Sequence, residues 1–225
     1  MSINAVSRVE GDITVRNVLV SVSDKTGLES FIPALKSINR NVKFYSTGGT
    51  YAKIAEILDG EAEKNLVSVS DFTGQPEMQG GLVKTLDFKI YLGLLSESYN
   101  PAHQDDLERT GAVKFDMVVV NLYPFKETVA KPGVTLESAR GNIDIGGPSM
   151  LRAAAKNFLR VLPVCDPGEY GSILKELNSS GGKVSLKTRF RAAQKAFEHT
   201  AEYDGAIVRF LRSRDAGELS NIYTT

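Results

Sequence analysis

The sequence predicts an α/β fold, in which helices cover both faces of a mostly parallel sheet. Short apolar, β-branched runs alternate with segments of helical period, which is the order expected of parallel strands joined by crossover helices. The apolar share of the 225 residues is 42%, which is enough for an extended core. A last segment, from about Ser185 to Arg214, has apolar residues at helical spacing and predicts a carboxyl-terminal helical segment.

The predicted elements follow one another from residue 17 onward. Residues 1–16 are polar and mixed in charge, so we interpret them as a polar lead and residues 17–225 as one domain with terminal helices. Strands are predicted at 17–22, 42–45, 66–69, 115–121 and 161–165, and helices up to about 38 and 58. Residues 71–89 are rich in Gly, Thr and Pro and predict a functional loop. The predicted apolar stripe of the last helix consists of Phe190, Ala193, Phe197, Ala201, Ile207, Val208 and Leu211.

Charge and composition argue against several classes of function. The formal net charge is zero and there is no long basic block, so extended nucleic-acid binding is not expected. No run approaches the roughly 18 consecutive apolar residues of a transmembrane helix, and the start does not read as a secretory signal. The single cysteine, Cys165, and two histidines support neither a disulfide nor a metal centre. We therefore expect a cytoplasmic protein without metal.

Two loops with anion-binding character are predicted at the carboxyl ends of the first two strands. They are Ser21-Val-Ser-Asp-Lys-Thr-Gly27 and Ser46-Thr-Gly-Gly-Thr50. Glycines let backbone amides approach a phosphate, the helix start adds positive partial charge, and Lys25 adds a cation. Each loop alone is equally well explained as a capped turn, but two adjacent loops with a lysine favour a phosphate pocket. Neither matches the dinucleotide or P-loop pattern, so a phosphomonoester is expected rather than NAD or ATP.

Three further segments contain residues suited to catalysis. Lys84 follows Gly80-Gly-Leu-Val on a polar loop and is a candidate for a functional role. The alternative is that Lys84 is a solvated surface lysine. Asn121 and Tyr123 follow the best predicted strand, where ligand contacts are expected, although a turn asparagine and a packed tyrosine are common. Asp144 precedes a predicted helix, and Pro148 is well placed near the start of that helix. Exposed backbone amides at this helix start would bind a developing oxyanion. Lys156 falls later in this helix, and a structural cap with a solvated lysine is the alternative.

Together these segments resemble the amino-terminal half of the bifunctional AICAR transformylase/IMP cyclohydrolase family. The similarity extends from about residue 17 to 212, with many motifs in the same order. The resemblance implies a methylglyoxal-synthase-like fold and dehydrative closure of FAICAR to IMP, with no metal or organic cofactor. The matching motifs are SVSDKTG (21–27), GGT (48–50), DFTG (71–74), PEM (76–78), VKTL (83–86), NLYPF (121–125), IDIGG (143–147), LRAAAKN (151–157) and KAFEHTAEYD (195–204).

Position and resemblance together assign roles to these residues. Asp144 is expected to handle the proton, and Lys84 and Lys156 to be cationic donors near the reacting oxygen or the carboxamide. Tyr123 is expected to hold a water or relay a proton. Lys25, Thr47, Gly48, Gly49 and Thr50 are expected to bind the 5′-phosphate. The other predicted substrate contacts are Ser21, Ser23, Thr26, Gly27, Thr85, Asn121, Ile145 and Gly146.

The sequence departs from the family in one loop and in length. Where the family usually has Gly-Gly-Arg-Val-Lys-Thr-Leu-His-Pro, Leu82 replaces the arginine, which contacts the ligand in the family, and Asp87 and Phe88 replace His-Pro. Tyr91 stands at a later histidine. The transformylase half is absent from these residues, so we expect no formyl transfer by this chain and a separate enzyme that supplies FAICAR. A homodimer is retained as a candidate assembly, although the family dimerises mainly through the missing half.

Two other functions fit the same residues. A non-catalytic purine-nucleotide-binding regulatory module is favoured by the altered loop at Leu82 and Asp87, since fold does not fix function. Methylglyoxal synthase is another phosphate-binding enzyme of this fold, but the 151–157 segment and the long terminal helix argue against it.

Overall fold

A computed structural model describes residues 5–75 and 84–224 of the chain, and within these residues a five-stranded sheet forms the centre of the fold. Its strand order is β4-β3-β2-β5-β6, and every neighbouring pair is parallel. This confirms the predicted α/β fold. The strands in chain order are β1 (Asp12–Thr14), β2 (Asn17–Val22), β3 (Lys43–Ser46), β4 (Leu66–Ser68), β5 (Met117–Asn121), β6 (Leu162–Val164) and β7 (Lys183–Ser185).

The strand order reverses between β2 and β5, which lie side by side at the middle of the sheet. From β2 the chain proceeds outward through β3 to β4, and β5 then returns to the other side of β2. Val22 and Asn121, at the carboxyl ends of these two strands, are register partners. Ligands of open α/β sheets bind in the crevice outside the carboxyl ends of the strands at such a reversal. The topology therefore places the predicted loops after β2 and β5 at the expected ligand crevice.

Helices cover both faces of the sheet, because the side chains of each strand point alternately to opposite sides. Val18, Val20 and Val22 of β2 pack with α1, α2 and α10 in one apolar core, while Leu19 packs with α5, α9 and α11 in the other. The helices are α1 (Leu28–Ile38), α2 (Gly48–Leu58), α3 (Ala62–Asn65), α4 (Val69–Thr73), α5 (Phe88–Leu95), α6 (Pro101–Thr110), α7 (Phe125–Val129), α8 (Leu136–Gly141), α9 (Gly146–Lys156), α10 (Tyr170–Ser179), α11 (Leu186–Arg212) and α12 (Leu219–Ile222). None of the helices in the described ranges combines the length and apolar composition that crossing a bilayer requires.

The end of the predicted lead takes part in the fold. Strand β1 pairs with β7 in an antiparallel ribbon, and Ile13 and Val15 are buried in the core beside α1 and α10. The predicted loop at 71–89 is helical at both ends, since α4 reaches Thr73 and α5 begins at Phe88. Its central motifs, residues 76–83, lie outside the described residues.

The apolar stripe predicted on the terminal helix is wrong for most of its residues. Helix α11 runs through 27 residues, and Phe190, Phe197, Val208 and Leu211 are between 39% and 47% exposed. The buried face instead has mainly small residues and includes Ala193 of the predicted stripe. Small side chains let α11 approach the alanines of α9 closely, which a count of large apolar residues does not detect. The buried residues of α11 are Arg189, Ala192, Ala193, Ala196, Thr200, Tyr203, Ala206 and Phe210.

Candidate active site

The loop after β2 is fixed by the side chain of Asn121 at the end of β5. The Asn121 Oδ1 accepts hydrogen bonds from the backbone N–H groups of Ser23 at 2.7 Å and Asp24 at 2.8 Å. Its Nδ2 donates to the Asp24 carbonyl at 2.7 Å. The Asp24 carboxylate in turn accepts from the Thr26 backbone N–H and hydroxyl, which lowers the pKa of Asp24. In this structure Asn121 and Thr26 therefore hold the shape of the loop that carries Lys25.

The start of α2 is clamped against the end of β2. The Thr50 hydroxyl donates to the Val22 carbonyl at 3.0 Å and accepts from the Val22 N–H at 3.1 Å, so it holds the two elements together. Thr47, in extended conformation, is the residue before the helix, and Gly48 opens it at φ +54°. The first N–H groups of an α-helix have no acceptor within it. The amides of Gly48 and Gly49 thus start a helix of 11 residues at the ligand edge of the sheet.

Two lysines lie over these glycines. A Cβ placed on Gly49 would be 3.9 Å from the Lys25 Nζ, and one on Gly48 would be 3.8 Å from the Lys84 Nζ. Both glycines are exposed, so a ligand can reach their amides. Two ammonium groups beside a helix N-terminus are features that favour the binding of a phosphate. The structure thus brings Lys25 and Lys84 together, although 59 residues separate them in the sequence.

The start of α9 adds a carboxylate to the same region. The Asp144 Oδ1 accepts a hydrogen bond from the Gly147 N–H at 2.9 Å, and the carboxylate also interacts with the Tyr123 backbone N–H. Burial nevertheless raises the pKa of Asp144, because desolvation outweighs these two bonds. A carboxylate whose pKa is raised toward neutrality is a better proton acceptor than a solvated one.

Two glycines allow this approach of α9. A Cβ on Gly146 would lie 2.8 Å from the Thr85 Oγ1, and one on Gly147 would lie 2.6 Å from the Asp144 Oδ2. Thr85 follows Lys84, so the contact at Gly146 joins the lysine segment to the carboxylate segment. Lys84 and Thr85 therefore connect the start of α2 with the start of α9, where Asp144 lies.

The predicted residues of this region fall into three groups by position. Those that line the region of contact are Lys25, Gly48, Gly49, Lys84, Thr85, Asp144 and Gly146. Tyr123 and Ile145 flank it with 55% and 60% of their surface exposed, which leaves both side chains accessible to a ligand. Those that shape the loops or strand ends are Ser21, Ser23, Thr26, Gly27, Thr47, Thr50 and Asn121.

Lys156 lies apart from this region. It is the last residue of α9, which has 11 residues, and at about 1.5 Å per residue its Cα is about 15 Å along the axis from Gly146. A helix between parallel strands runs opposite to them, so its last turn lies toward the amino edge of the sheet. There Lys156 lines a separate apolar groove with Leu95, Phe158 and Phe190. The structure thus does not bring Lys156 to Asp144.

Two of the residues at which the sequence departs from the family have structural roles, whereas Phe88 is 62% exposed. Asp87 is the N-cap of α5 and accepts the Lys89 N–H at 2.8 Å. Tyr91 packs against the core beneath α9, and burial raises the pKa of its phenol. Leu82 lies outside the described residues.

One residue that contacts this region was not predicted from the sequence. The Asp144 backbone N–H donates a hydrogen bond to the Tyr203 Oη of α11 at 2.8 Å. Tyr203 lies in the KAFEHTAEYD motif, and membership of this motif was the one feature of the sequence that could have pointed to it.

Within the described residues no group of three or more His, Cys, Asp or Glu side chains is arranged to hold a metal ion.

Comparisons with known proteins assign the chain to a family. Residues 27–149, more than half of the chain, match the family of MGS-like domains, and residues 154–225 match the AICARFT/IMPCHase bienzyme family. A curated relative, the bifunctional purine biosynthesis protein PurH of Ruminiclostridium cellulolyticum, is 48% identical over 198 residues. The match covers 88% of this chain and 37% of that relative, so the chain spans little more than a third of the relative's length.

A solved structure agrees with this assignment. The crystal structure of ForH superposes with a TM-score of 0.71 at 30% sequence identity, and the match covers 87% of this chain and 98% of ForH. This confirms the predicted methylglyoxal-synthase-like fold. The chain therefore belongs to the MGS-like domain family, and it is similar to PurH over little more than a third of that protein's length.

Proposed function

We propose that this chain is an IMP cyclohydrolase, which closes the six-membered ring of FAICAR with loss of water to give IMP. The observation that carries the proposal is the continuous contact between a positive phosphate pocket and the Asp144 carboxylate. A ribose 5′-phosphate held by Lys25 and the amides at the start of α2 would direct its base past Lys84 toward the start of α9. The similarity to PurH, a bifunctional purine biosynthesis protein, supports the choice of substrate.

The chemistry requires one new C–N bond within a single molecule. The carboxamide nitrogen of FAICAR attacks the formyl carbon, but an amide nitrogen is a weak nucleophile because its lone pair is delocalised. Asp144 accepts the proton that this nitrogen loses. The formyl oxygen takes up this proton and becomes a hydroxyl. The hydroxyl then leaves as water with a second proton, which the formamide nitrogen gives up as it forms the ring C=N bond, so no cofactor is needed to balance the reaction. Holding the two groups in near-attack geometry supplies a further part of the rate.

Charge on the formyl oxygen must be stabilised while the bond forms. Candidate donors are the ammonium group of Lys84, the hydroxyl of Thr85 and the backbone amides at the start of α9. Preorganised donors of this kind contribute about 3–4 kcal/mol each to related reactions. Tyr123, whose exposed side chain flanks Asp144, is placed to hold a water or relay the proton. Lys156 has no role in this proposal, because it lies at the far end of α9.

The transfer of the formyl group is assigned to residues outside this chain. The match of 198 residues covers 37% of the PurH relative, and the transformylase motifs are not among the 225 residues of the chain. A separate enzyme or a separate part of a longer protein would supply FAICAR to this site, in the cytoplasm.

The proposal is tested by incubating the purified chain with FAICAR and following IMP by absorbance and by chromatography. Enzyme-dependent IMP formation is the expected result. Tight IMP binding without turnover would instead favour the purine-nucleotide-binding regulatory module. Release of methylglyoxal from dihydroxyacetone phosphate would favour methylglyoxal synthase.

Replacement of Lys25 with Met is expected to weaken substrate binding and leave the chemical step intact. Hydrogen bonds to charged groups contribute about 1.5–3 kcal/mol, so KM for FAICAR should rise about 10- to 100-fold while kcat changes little. Steady-state kinetics at fixed ionic strength check this. Lys131→Met, at an exposed loop lysine, is the matched control. An equal loss in both variants would contradict a phosphate contact at Lys25.

A further inference from the structure

The backbone of Asp144 is held by a side chain from a distant part of the sequence. Tyr203 lies 59 residues after Asp144, on α11, and its hydroxyl accepts the Asp144 N–H at 2.8 Å. The same hydroxyl donates to the Asn142 carbonyl at 3.4 Å. One phenol thus bridges both sides of the peptide segment that delivers the carboxylate to α9.

The Tyr203 ring is itself held in place by packing. It is 8% exposed and meets the Phe125 ring edge-on at a centroid distance of 6.1 Å. Phe125 also meets Phe210, about two turns of α11 further along, at 5.9 Å. Aromatic rings packed in this geometry have little freedom. The hydroxyl therefore occupies a fixed point relative to the sheet.

The end of the segment next to α9 is not held by a cap side chain. The residue that caps α9, Ile145, contributes no side-chain hydrogen bond to the helix, and it is exposed. The carboxylate of Asp144 is held by the N–H groups of Gly147 and Tyr123, while its own backbone N–H is held by Tyr203. Tyr203 therefore helps to set where the carboxylate lies relative to the rest of the site.

We infer that Tyr203 is a positioning residue for Asp144, so that α11 belongs to the catalytic unit of the protein. The expected effect on kcat rests on the proposed function. The hydrogen bond between Tyr203 and Asp144 does not depend on that function. The match to the MGS-like family ends at residue 149, and Tyr203 lies in the segment that matches the AICARFT/IMPCHase bienzyme. An MGS-like domain without α11 would therefore contain the aspartate without this support.

Replacement of Tyr203 with Phe tests the inference, since it removes the hydroxyl and keeps the buried ring. We expect kcat for FAICAR closure to fall about 10- to 100-fold with KM within twofold, because misplacing a reacting group by about 1 Å costs up to about 100-fold. We also expect the Asp144 amide, resolved by NMR, to exchange with solvent at least tenfold faster than in the parent protein. Unchanged amide exchange, or an unchanged kcat, would overturn the inference.

Phe190→Leu is the control for packing, because it loosens a different aromatic pair of α11, with Phe158 at a centroid distance of 5.2 Å, and leaves the Tyr203 cluster intact. It should lower the melting temperature and keep kcat close to that of the parent protein. A kcat loss in Phe190→Leu equal to that in Tyr203→Phe would overturn the role of the hydroxyl. If the parent protein forms no IMP, the proposed function fails. The amide exchange of Tyr203→Phe then still decides whether the phenol holds Asp144.

Discussion

Replacement of Asp144 with Asn is expected to lower kcat for FAICAR closure by about 100- to 10,000-fold, the range that a positioned acid–base group contributes. The amide has nearly the shape of the carboxylate and can still accept the Gly147 N–H, so the site should remain assembled. KM should change little, because the phosphate pocket lies at the other end of the contact region. The effect should therefore appear in kcat, measured by IMP formation under single-turnover and steady-state conditions.

The pH dependence provides an independent test of the same residue. Burial raises the pKa of Asp144 in the folded protein, and the carboxylate must be ionised to accept a proton. The rate of the parent protein should fall as the pH drops through this raised pKa. The residual rate of Asp144→Asn should not follow this profile.

The raised pKa also has a consequence for stability. A carboxyl group whose pKa is higher in the folded than in the unfolded state binds its proton more tightly when folded. Its contribution to stability is therefore full below the unfolded pKa and is lost as the pH rises through the folded pKa. At neutral pH the ionised Asp144 disfavours folding relative to a neutral group. Asp144→Asn should unfold at a temperature equal to or above that of the parent protein at pH 7, and this advantage should disappear below about pH 4.

A matched control separates the role of Asp144 from a general effect of removing an acid. Asp105 lies exposed on α6, and Asp105→Asn should leave both kcat and stability unchanged. Full activity in Asp144→Asn would contradict the proton-accepting role. A large loss of stability at pH 7 would contradict the interpretation of the buried charge.

The sequence identified this region because its residues follow rules of local geometry. Glycines after β3 and before α9, and an asparagine at the end of β5, stand where parallel strands present ligand-binding loops. Pairing of parallel strands brings the loop after β2, which carries Lys25, beside the start of α2. The fold class and the strand positions followed from the alternation of apolar and helical segments.

The sequence could not show how far a residue lies along its helix from the site. Lys156 belongs to the same motif-rich segment as Asp144, yet a helix of 11 residues carries it toward the opposite edge of the sheet. Nor could it show which face of α11 is buried. Large apolar residues predicted one face, whereas close approach to the alanines of α9 selected another, and that choice also places Tyr203 beside Asp144.

The buried guanidinium of Arg189 is the part of α11 that sequence patterns least suggest. Its side chain has no exposed surface, and its five N–H groups point to backbone carbonyls of several segments. Burial lowers the pKa of Arg189, and acidic groups including Asp12 and Glu176 oppose this effect. The residue joins the start of the chain, β7 and the segment before β6 to the helix. The accepting carbonyls are those of Phe158 at 2.9 Å, Gly11 at 3.3 Å, Val184 at 2.7 Å, Glu10 at 2.7 Å and Leu159 at 3.0 Å.

Replacement of Arg189 with Met is therefore expected to have a large effect on stability. Methionine fills much of the volume but donates no hydrogen bond, and each buried carbonyl left without a partner costs about 1–3 kcal/mol. Because water and small shifts will satisfy some of them, we expect a loss of about 4 kcal/mol in the free energy of unfolding. For a chain of this size that corresponds to a fall of about 8–16 °C in melting temperature.

Thermal and urea unfolding of Arg189→Met beside Arg191→Met tests this expectation. Arg191 lies two residues further along the same helix with its side chain exposed, so its replacement should change stability by less than about 0.5 kcal/mol. A difference below about 1 kcal/mol between the two variants would show that the five carbonyls find other donors without Arg189. In that case α11 would be held to the sheet by its small apolar face alone. The expected large difference would instead show that a buried cation holds the helix that carries Tyr203 toward the active site.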